Sequence, residues 1–265
     1  MIRGIGFDLD NTLFDHSGAA ATGMSSLLHK RGWVYEGEPD LKTIWQQIEQ
    51  KYFSEYVAGN LTLAEHRRAR MREFLQRANI QADSDNLDGL FADYLEEYSN
   101  SWVAYPDALP ALETLRELGY VLAVLTNGQQ DQQERKLAKM GLSHFFSSIL
   151  AIGKVTYPKP DARAFLQMCA SLECEPEEIA YVGDDPQVDV LAATRAGIHG
   201  VWLNREGVQT QIGIRSQIGS LNELHTLIRT ARADVEVDRC IPAALVKKLV
   251  KTRLTEVETK WDGRL

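Results

Sequence analysis

The sequence is poor in cysteine, with three among 265 residues: Cys169, Cys174 and Cys240. The count is odd and no two form a CxxC pair, which disfavours a disulfide framework or a zinc site. Long hydrophobic runs are also absent, because no apolar stretch approaches the roughly 18 residues of a membrane span. The first residues show no signal-peptide pattern. We therefore expect a cytoplasmic protein with no membrane partner.

Positive charge is scarce as well. Lys and Arg number 29 against 37 Asp and Glu, giving a net charge of −8 and a pI near 5.3. This balance argues against a nucleic-acid partner, although it is compatible with a local pocket for an anion. No GxGxxG follows the first predicted strand, and no P-loop occurs, so a dinucleotide-binding domain is excluded. The six histidines show no metal-ligand spacing, which favours structural or surface roles.

The most informative stretch lies near the start. Residues 5–7 are apolar and predict a short buried strand, after which Asp8 and Asp10 point to the same side. Like charges this close require a cation between them, a raised pKa on one carboxyl, or free exposure to water. The first two alternatives describe an active site. The third describes a solvated acidic turn, which is the commoner meaning of an isolated Asp-x-Asp.

Residues 16–104 have a helical pattern without intervening strands, which predicts an inserted bundle of four helices. Thr62 to Glu65 is a capping-box pattern that opens the third helix. Four aromatic residues of the second helix have the spacing of a packed core rather than of a ligand site: Trp45, Tyr52, Phe53 and Tyr56. Four arginines of the third helix are compatible with an anionic substrate or, more commonly, with a solvated face: Arg67, Arg68, Arg70 and Arg72.

From Pro106 the pattern becomes α/β. Strands are predicted at 120–125, 149–152, 179–182 and 200–203, with helices of about ten residues between them, the last of them at 188–196. This alternation predicts a doubly wound parallel sheet, in which ligands bind beyond the carboxyl ends of the strands.

Five polar side chains follow the predicted strands at that edge: Asp8, Asp10, Thr126, Lys159 and Asp184. Each has an ordinary interpretation as part of a turn or loop, but their joint placement does not. Carboxylates are hard oxygen ligands that suit Mg²⁺, and a hydroxyl beside an ammonium suits the oxygens of a phosphoryl group. The sequence therefore predicts a site for Mg²⁺ and a phosphoryl group.

In these motifs the chain resembles the haloacid dehalogenase (HAD) superfamily, in its phosphatase branch. The four motifs are Phe7–Leu13, Leu125–Gly128, Lys159–Pro160 and Val182–Asp189. The resemblance covers about residues 4–230. It implies a Rossmann-like α/β core of residues 1–15 and 105–230 and a helical first-type (C1) cap of residues 16–104. Residues 231–265 form an extension that the resemblance does not cover, either an added helix or a partly ordered tail.

The resemblance also implies residue roles. Asp8 is expected to be the nucleophile that forms an aspartyl-phosphate, and Asp10 the general acid and base, with a pKa above that of Asp8. Mg²⁺ is expected on Asp8, on Asp184 and on the backbone carbonyl of Asp10. Thr126, Asn127 and Lys159 are expected to hold the phosphoryl oxygens.

Two further acids belong to the fourth motif. Asp189 is expected to orient a metal-bound water or Lys159. Asp185 stands where the family often carries Ser or Thr, which leaves open a share in the metal role of Asp184.

The expected activity is hydrolysis of a small phosphorylated metabolite, such as a nucleotide, flavin mononucleotide or sugar phosphate, by a monomer or homodimer. The alternatives are a phosphomutase, a 2-haloacid dehalogenase, and a non-catalytic domain that binds Mg²⁺ and a phosphoryl group.

Overall fold

The structure is a computed structural model that describes residues 1–81, 86–210 and 212–229. Residues 1–225 form one compact unit. The predicted extension of residues 231–265 lies outside the described residues. Within the described ranges, none of the helices combines the length and apolarity required of a transmembrane segment.

The core is a six-stranded parallel sheet with the strand order β3-β2-β1-β4-β5-β6. Its strands are β1 (Gly4–Phe7), β2 (Val121–Gln129), β3 (Ser148–Ile152), β4 (Ile179–Gly183), β5 (His199–Leu203) and β6 (Gln217–Ile218). The predicted doubly wound parallel sheet is confirmed, and only the two-residue β6 was not foreseen. The strand order reverses at β1, where a doubly wound sheet places its ligand crevice.

Among the described residues, the helices beside this sheet include α5 (Ala108–Glu117), α6 (Gln130–Lys139), α7 (Ala162–Leu172) and α8 (Ala192–Arg195). The last predicted helix was expected to begin at residue 188. A π-helical turn, Pro186–Leu191, instead begins two residues earlier and runs into α8. The earlier start has a local cause, because Asp185 accepts hydrogen bonds from the backbone of Gln187 and Val188, and Pro186 suits the first helical position.

A helical insert separates β1 from α5. It consists of α1 (His16–Arg31), α2 (Leu41–Val57), α3 (Leu63–Arg77) and α4 (Leu87–Asn100), with α1 packed on α4 and α2 packed on α3. Trp45 is buried at its centre, in edge contact with Phe74 and Tyr94, and donates a 2.9 Å hydrogen bond to the Tyr94 hydroxyl. The predicted capping box at Thr62 opens α3.

The insert joins the core through two chain segments that run side by side. Asp15 donates a backbone hydrogen bond to Val103, and Tyr105 donates one to Leu13. Because both connections lie in this one paired segment, the chain enters and leaves the insert at the same place.

Candidate active site

Lys159 lies at the centre of the site, buried in the loop before α7. Its Nζ donates hydrogen bonds to Asp8 Oδ1 at 2.7 Å, to Asp189 Oδ1 at 2.6 Å and to the Tyr181 hydroxyl at 2.9 Å. Tyr181 in turn donates to the carbonyl of Leu125 at 2.6 Å. Burial opposes the charge of this lysine, but Asp189 and Asp8 outweigh it and hold its pKa well above the usual value. The lysine is therefore a fixed positive charge beside Asp8.

Three carboxylates meet beside this lysine. Asp8, Asp184 and Asp189 each offer an oxygen within 4.8 Å of the others. Burial raises the pKa of Asp8 to about 7, against the attraction of Lys159 and with the repulsion of Asp189 and Asp10. Burial and the charges of Asp8 and Asp189 raise the pKa of Asp184 well above its usual value.

One ammonium faces these three acids, so a divalent cation would relieve the repulsion. The oxygen ligands suit Mg²⁺. The oxygen ligands of the site therefore fit Mg²⁺, the metal that the sequence predicts. The cluster contains Asp189 in addition to the expected ligands Asp8 and Asp184.

The Asp10 carboxylate is engaged elsewhere. It accepts hydrogen bonds from the buried Lys136 ammonium and, at 2.8 Å, from Gln133 Nε2. Burial acts to raise the pKa of Asp10, but Lys136 and His16 outweigh it and lower this pKa below 3.8. The order of the two pKa values is thus the reverse of the expected one, because burial raises the pKa of Asp8 and Lys136 stabilises the Asp10 anion; a Mg²⁺ ion on Asp8 would lower the pKa of Asp8 in turn. Any metal contact of Asp10 would fall to its backbone carbonyl, as the resemblance implied.

Thr126 ends the buried part of β2. Its hydroxyl accepts hydrogen bonds from Gln133 Nε2 at 3.0 Å and from the backbone of Gly128 at 3.3 Å. Such an oxygen keeps its own hydrogen for donation, as a phosphoryl contact requires.

Asn127 contacts the loop that carries Lys159. Its side chain exchanges two hydrogen bonds with the backbone of Lys159, at 2.7 and 2.8 Å. The amide thus fixes the lysine loop, which leaves only the backbone of Asn127 for a phosphoryl group.

Asp184 and Asp185 are distinguished by their partners. Asp185 caps the turn that follows β4, whereas Asp184 faces the cluster and accepts a 3.4 Å hydrogen bond from the Thr12 hydroxyl. Asp189 joins the cluster through Lys159. This arrangement favours Asp184 over Asp185 as a metal ligand.

A second polar network lies within the insert, on the side that faces Asp10. His16 Nε2 lies 2.9 Å from Glu49, its Nδ1 lies 2.7 Å from the Tyr98 hydroxyl, and Glu49 pairs with Arg70 at 2.7 Å. Burial acts to lower the pKa of His16, but Glu49 outweighs it and raises this pKa. This network is compatible with the structural role expected of His16, and it also places the ring next to the charge of Asp10.

A cleft of about 1070 Å³ lies between the insert and the carboxyl edge of the sheet. Its core wall includes every residue of the carboxylate cluster, with Thr126 and Lys159. Phe53 of α2 lines the opposite wall, and Tyr56 lines a smaller pocket beside it. For these two aromatic residues the expectation of a packed core is wrong, whereas for Trp45 it is correct.

Sequence reasoning missed Gln133, Lys136 and Tyr181. The helix α6 reads QDQQERKLAK, in which polar residues surround the axis, so no apolar stripe marks Gln133 and Lys136 as its buried face. The available signal was that Gln133 and Lys136 follow the Thr126 turn and lie three residues apart, and therefore on one face of α6. Tyr181 carries a hydroxyl within the apolar strand β4, and a buried hydroxyl needs a partner.

The four motif loops therefore converge on one edge, and comparison with known proteins agrees. Residues 2–197 match the family of haloacid dehalogenase-like hydrolases. The chain belongs to this family. This hydrolase also shares the fold of the HAD-hydrolase YfnB from Bacillus subtilis, with a TM-score of 0.71 and 24% identity over 85% of this chain and 98% of that one.

Curated relatives of the hydrolase include phosphatases. It is 46% identical to a phosphoserine phosphatase of Thermus thermophilus over 101 residues, which are 38% of this chain and 41% of the relative. It is 30% identical to a glyceraldehyde 3-phosphate phosphatase of Methanopyrus kandleri over 77% of this chain and 85% of the relative. The resemblance to the HAD superfamily is thus confirmed.

Proposed function

We propose that this hydrolase is a Mg²⁺-dependent phosphatase that cleaves the phosphomonoester of a small metabolite through a phosphorylated Asp8. The carboxylate cluster is the observation that carries the proposal, because Asp8 sits among charges that a divalent cation and a phosphoryl group would balance. The phosphatase relatives support the same substrate class.

Asp8 is the proposed nucleophile. Its Oδ1 is held by Lys159, so the carboxylate is oriented before substrate arrives. A bond forms between a carboxylate oxygen and phosphorus, while the bond from phosphorus to the ester oxygen breaks. Thr126 donates a hydrogen bond to a phosphoryl oxygen, and Lys159, whose three N–H groups bind Asp8, Asp189 and Tyr181, supplies a fixed positive charge beside the phosphoryl group. Mg²⁺, held by Asp8 and Asp184 with the Asp10 carbonyl, would supply positive charge that reduces the repulsion between nucleophile and phosphate.

Asp10 is the proposed general acid and general base. Its lowered pKa leaves it ionised at neutral pH, so the first proton enters with the substrate, whose second phosphate pKa is about 6. Asp10 takes this proton from the substrate monoanion and passes it to the leaving oxygen. It then accepts a proton from the water that attacks phosphorus and releases Asp8. Inorganic phosphate and an alcohol are the products.

The helical insert is the proposed cap. Residues 16–104 cover the cleft, and residues 1–15 and 105–230 supply the reacting groups, as the sequence predicts. Closure over a bound phosphoester would exclude bulk water from the labile acyl phosphate.

Hydrolysis of p-nitrophenyl phosphate tests the proposal. Wild-type protein is assayed with Mg²⁺ and with EDTA, beside Asp8→Asn and a control, Asp131→Asn, at an exposed position of α6. We expect metal-dependent turnover in wild type and control and none in Asp8→Asn. Turnover that survives in Asp8→Asn would refute the nucleophile assignment.

Three parallel measurements separate the alternatives. Chloride release from 2-chloropropionate without metal would indicate a dehalogenase, for which Asp184 has no evident task. Phosphoryl transfer to an added sugar in place of water would indicate a mutase. Mg²⁺ binding without any turnover would indicate a binding domain.

A further inference from the structure

Four of the five arginines of α3 divide into two faces. Arg68 and Arg72, four residues apart, lie on the exposed face, where Arg68 pairs with Asp88 at 2.6 Å. Arg67 and Arg70, three residues apart, line a pocket beneath the insert. The solvated interpretation of this cluster therefore holds for one pair and not for the other.

This pocket is small and adjoins the reaction centre. Its volume is about 220 Å³, and it shares Asp10, His16 and Glu49 with the larger cleft. Lys136 of α6 lines its core side, and α3 lines the opposite side. A leaving group whose oxygen is protonated by Asp10 can therefore extend into this pocket.

The charges of the pocket do not cancel. Lys136 pairs with Asp10, and Arg70 pairs with Glu49. Arg67 has no ion-pair partner among residues 1–81, 86–210 and 212–229, and its guanidinium lies 5.7 Å from the ring of Phe91. Arg67 therefore leaves one positive charge available to an anionic ligand.

Two buried nitrogens in the pocket wall also lack hydrogen-bond partners: His66 Nε2 and Arg70 Nε. Both residues are about 5% exposed. The Nδ1 of His66 lies 3.1 Å from the carbonyl of Leu63, to which it donates, so Nε2 is the acceptor of this ring. Burial lowers the pKa of His66 to about 4, which keeps the ring neutral at pH 7. Unpaired buried groups are uncommon and call for an explanation.

We propose that this pocket binds a carboxylate of the leaving group at Arg67 and Arg70, and a neighbouring hydroxyl at His66 Nε2. The substrate class is then a phosphorylated hydroxy acid of a few carbons. The inference rests on the proposed phosphatase function. The pocket is smaller than the roughly 300–1,000 Å³ typical of sites for drug-sized ligands, so a nucleobase or a flavin ring would have to lie in the adjoining cleft of about 1070 Å³ instead.

A matched pair of substrates tests the proposal. 3-Phosphoglycerate and glycerol 3-phosphate differ in that a carboxylate replaces a hydroxymethyl group. We expect wild type to favour the acid in kcat/KM, and Arg67→Gln to lower the ratio of the two values by about 10- to 100-fold, the usual effect of losing a charge-assisted hydrogen bond. Arg67→Lys should restore part of the ratio. The control Arg68→Gln, one position away on the exposed face, should leave it at the wild-type value.

Binding is measured separately from turnover, so that failure of the carboxylate pocket can be distinguished from failure of the phosphatase proposal. Calorimetric titration of the Asp8→Asn protein, with and without Arg67→Gln, gives the affinities for both phosphates. Equal affinities, or equal behaviour of Arg67→Gln and Arg68→Gln, would overturn the carboxylate pocket even if the enzyme is an active phosphatase. Preferential binding of the acid without any turnover in wild type would retain the pocket and reject the phosphatase.

Discussion

The negative charge of Asp8 destabilises the folded protein, and replacing Asp8 by asparagine removes this charge. Burial raises the pKa of this carboxyl from 3.8 to about 7. Each pKa unit corresponds to about 1.4 kcal/mol. The difference therefore corresponds to about 4 kcal/mol of destabilisation at pH 7 in the absence of metal, as an upper value.

The sign follows from proton binding. Between pH 4 and pH 7 the folded protein binds more protons at Asp8 than the unfolded chain does, so the free energy of unfolding falls as pH rises through this window. Below about pH 4 the carboxyl is protonated in both states and the penalty vanishes. Asparagine cannot ionise, so the variant lacks this contribution to the pH dependence.

Urea unfolding in EDTA at pH 5 and pH 7.5 measures the effect. We expect Asp8→Asn to be more stable than wild type at pH 7.5 by about 1–3 kcal/mol, since the lost hydrogen bond with Lys159 offsets part of the gain. At pH 5 the difference should be smaller. Mg²⁺ at 100 times its dissociation constant should stabilise wild type by about 2.7 kcal/mol. Equal stability of the two proteins at pH 7.5 in EDTA would refute the electrostatic reasoning.

Three further substitutions have defined outcomes. Lys136→Met should raise the pKa of Asp10, so the limb of the pH-rate profile that Asp10 governs should move to higher pH. The control is Lys139→Met, at an exposed position of α6. An unmoved profile in Lys136→Met would contradict the role assigned to Lys136. Thr62→Ala removes the cap of α3 and should lower the free energy of unfolding by about 1 kcal/mol in urea. Trp45→Ala should lower it by about 3–5 kcal/mol, and a loss below 1 kcal/mol would mean that the insert repacks.

The sequence predicts the sheet well because its signals are local. Apolar runs mark the strands, and glycines such as Gly119 and Gly141, both with positive φ, mark helix ends. The same logic places Asp8, Lys159 and Asp184 together, since the carboxyl ends of parallel strands share one edge. The family motifs added the roles that spacing alone left open.

The rest depended on contacts between distant segments. Lys136 meets Asp10 across 126 positions of the chain, and His16 meets Glu49 across 33. Neither contact produces a periodic pattern in the sequence, because the polar residues of a surface helix have the same pattern whether they face water or another charge. The order of the pKa values of Asp8 and Asp10 is the reverse of the expected one for this reason, since neither the degree of burial of Asp8 nor the partner of Asp10 was visible in the sequence.

The paired segments at Asp15 and Val103 have a mechanical consequence. If the insert moves over the cleft, we expect these two hydrogen-bonded segments to act as its hinge. Asp15 lies five residues after Asp10 in the sequence, so movement at this hinge would also displace His16 and Glu49 relative to the acid. Stiffening the hinge is then expected to slow opening and closing without altering a group that touches phosphate.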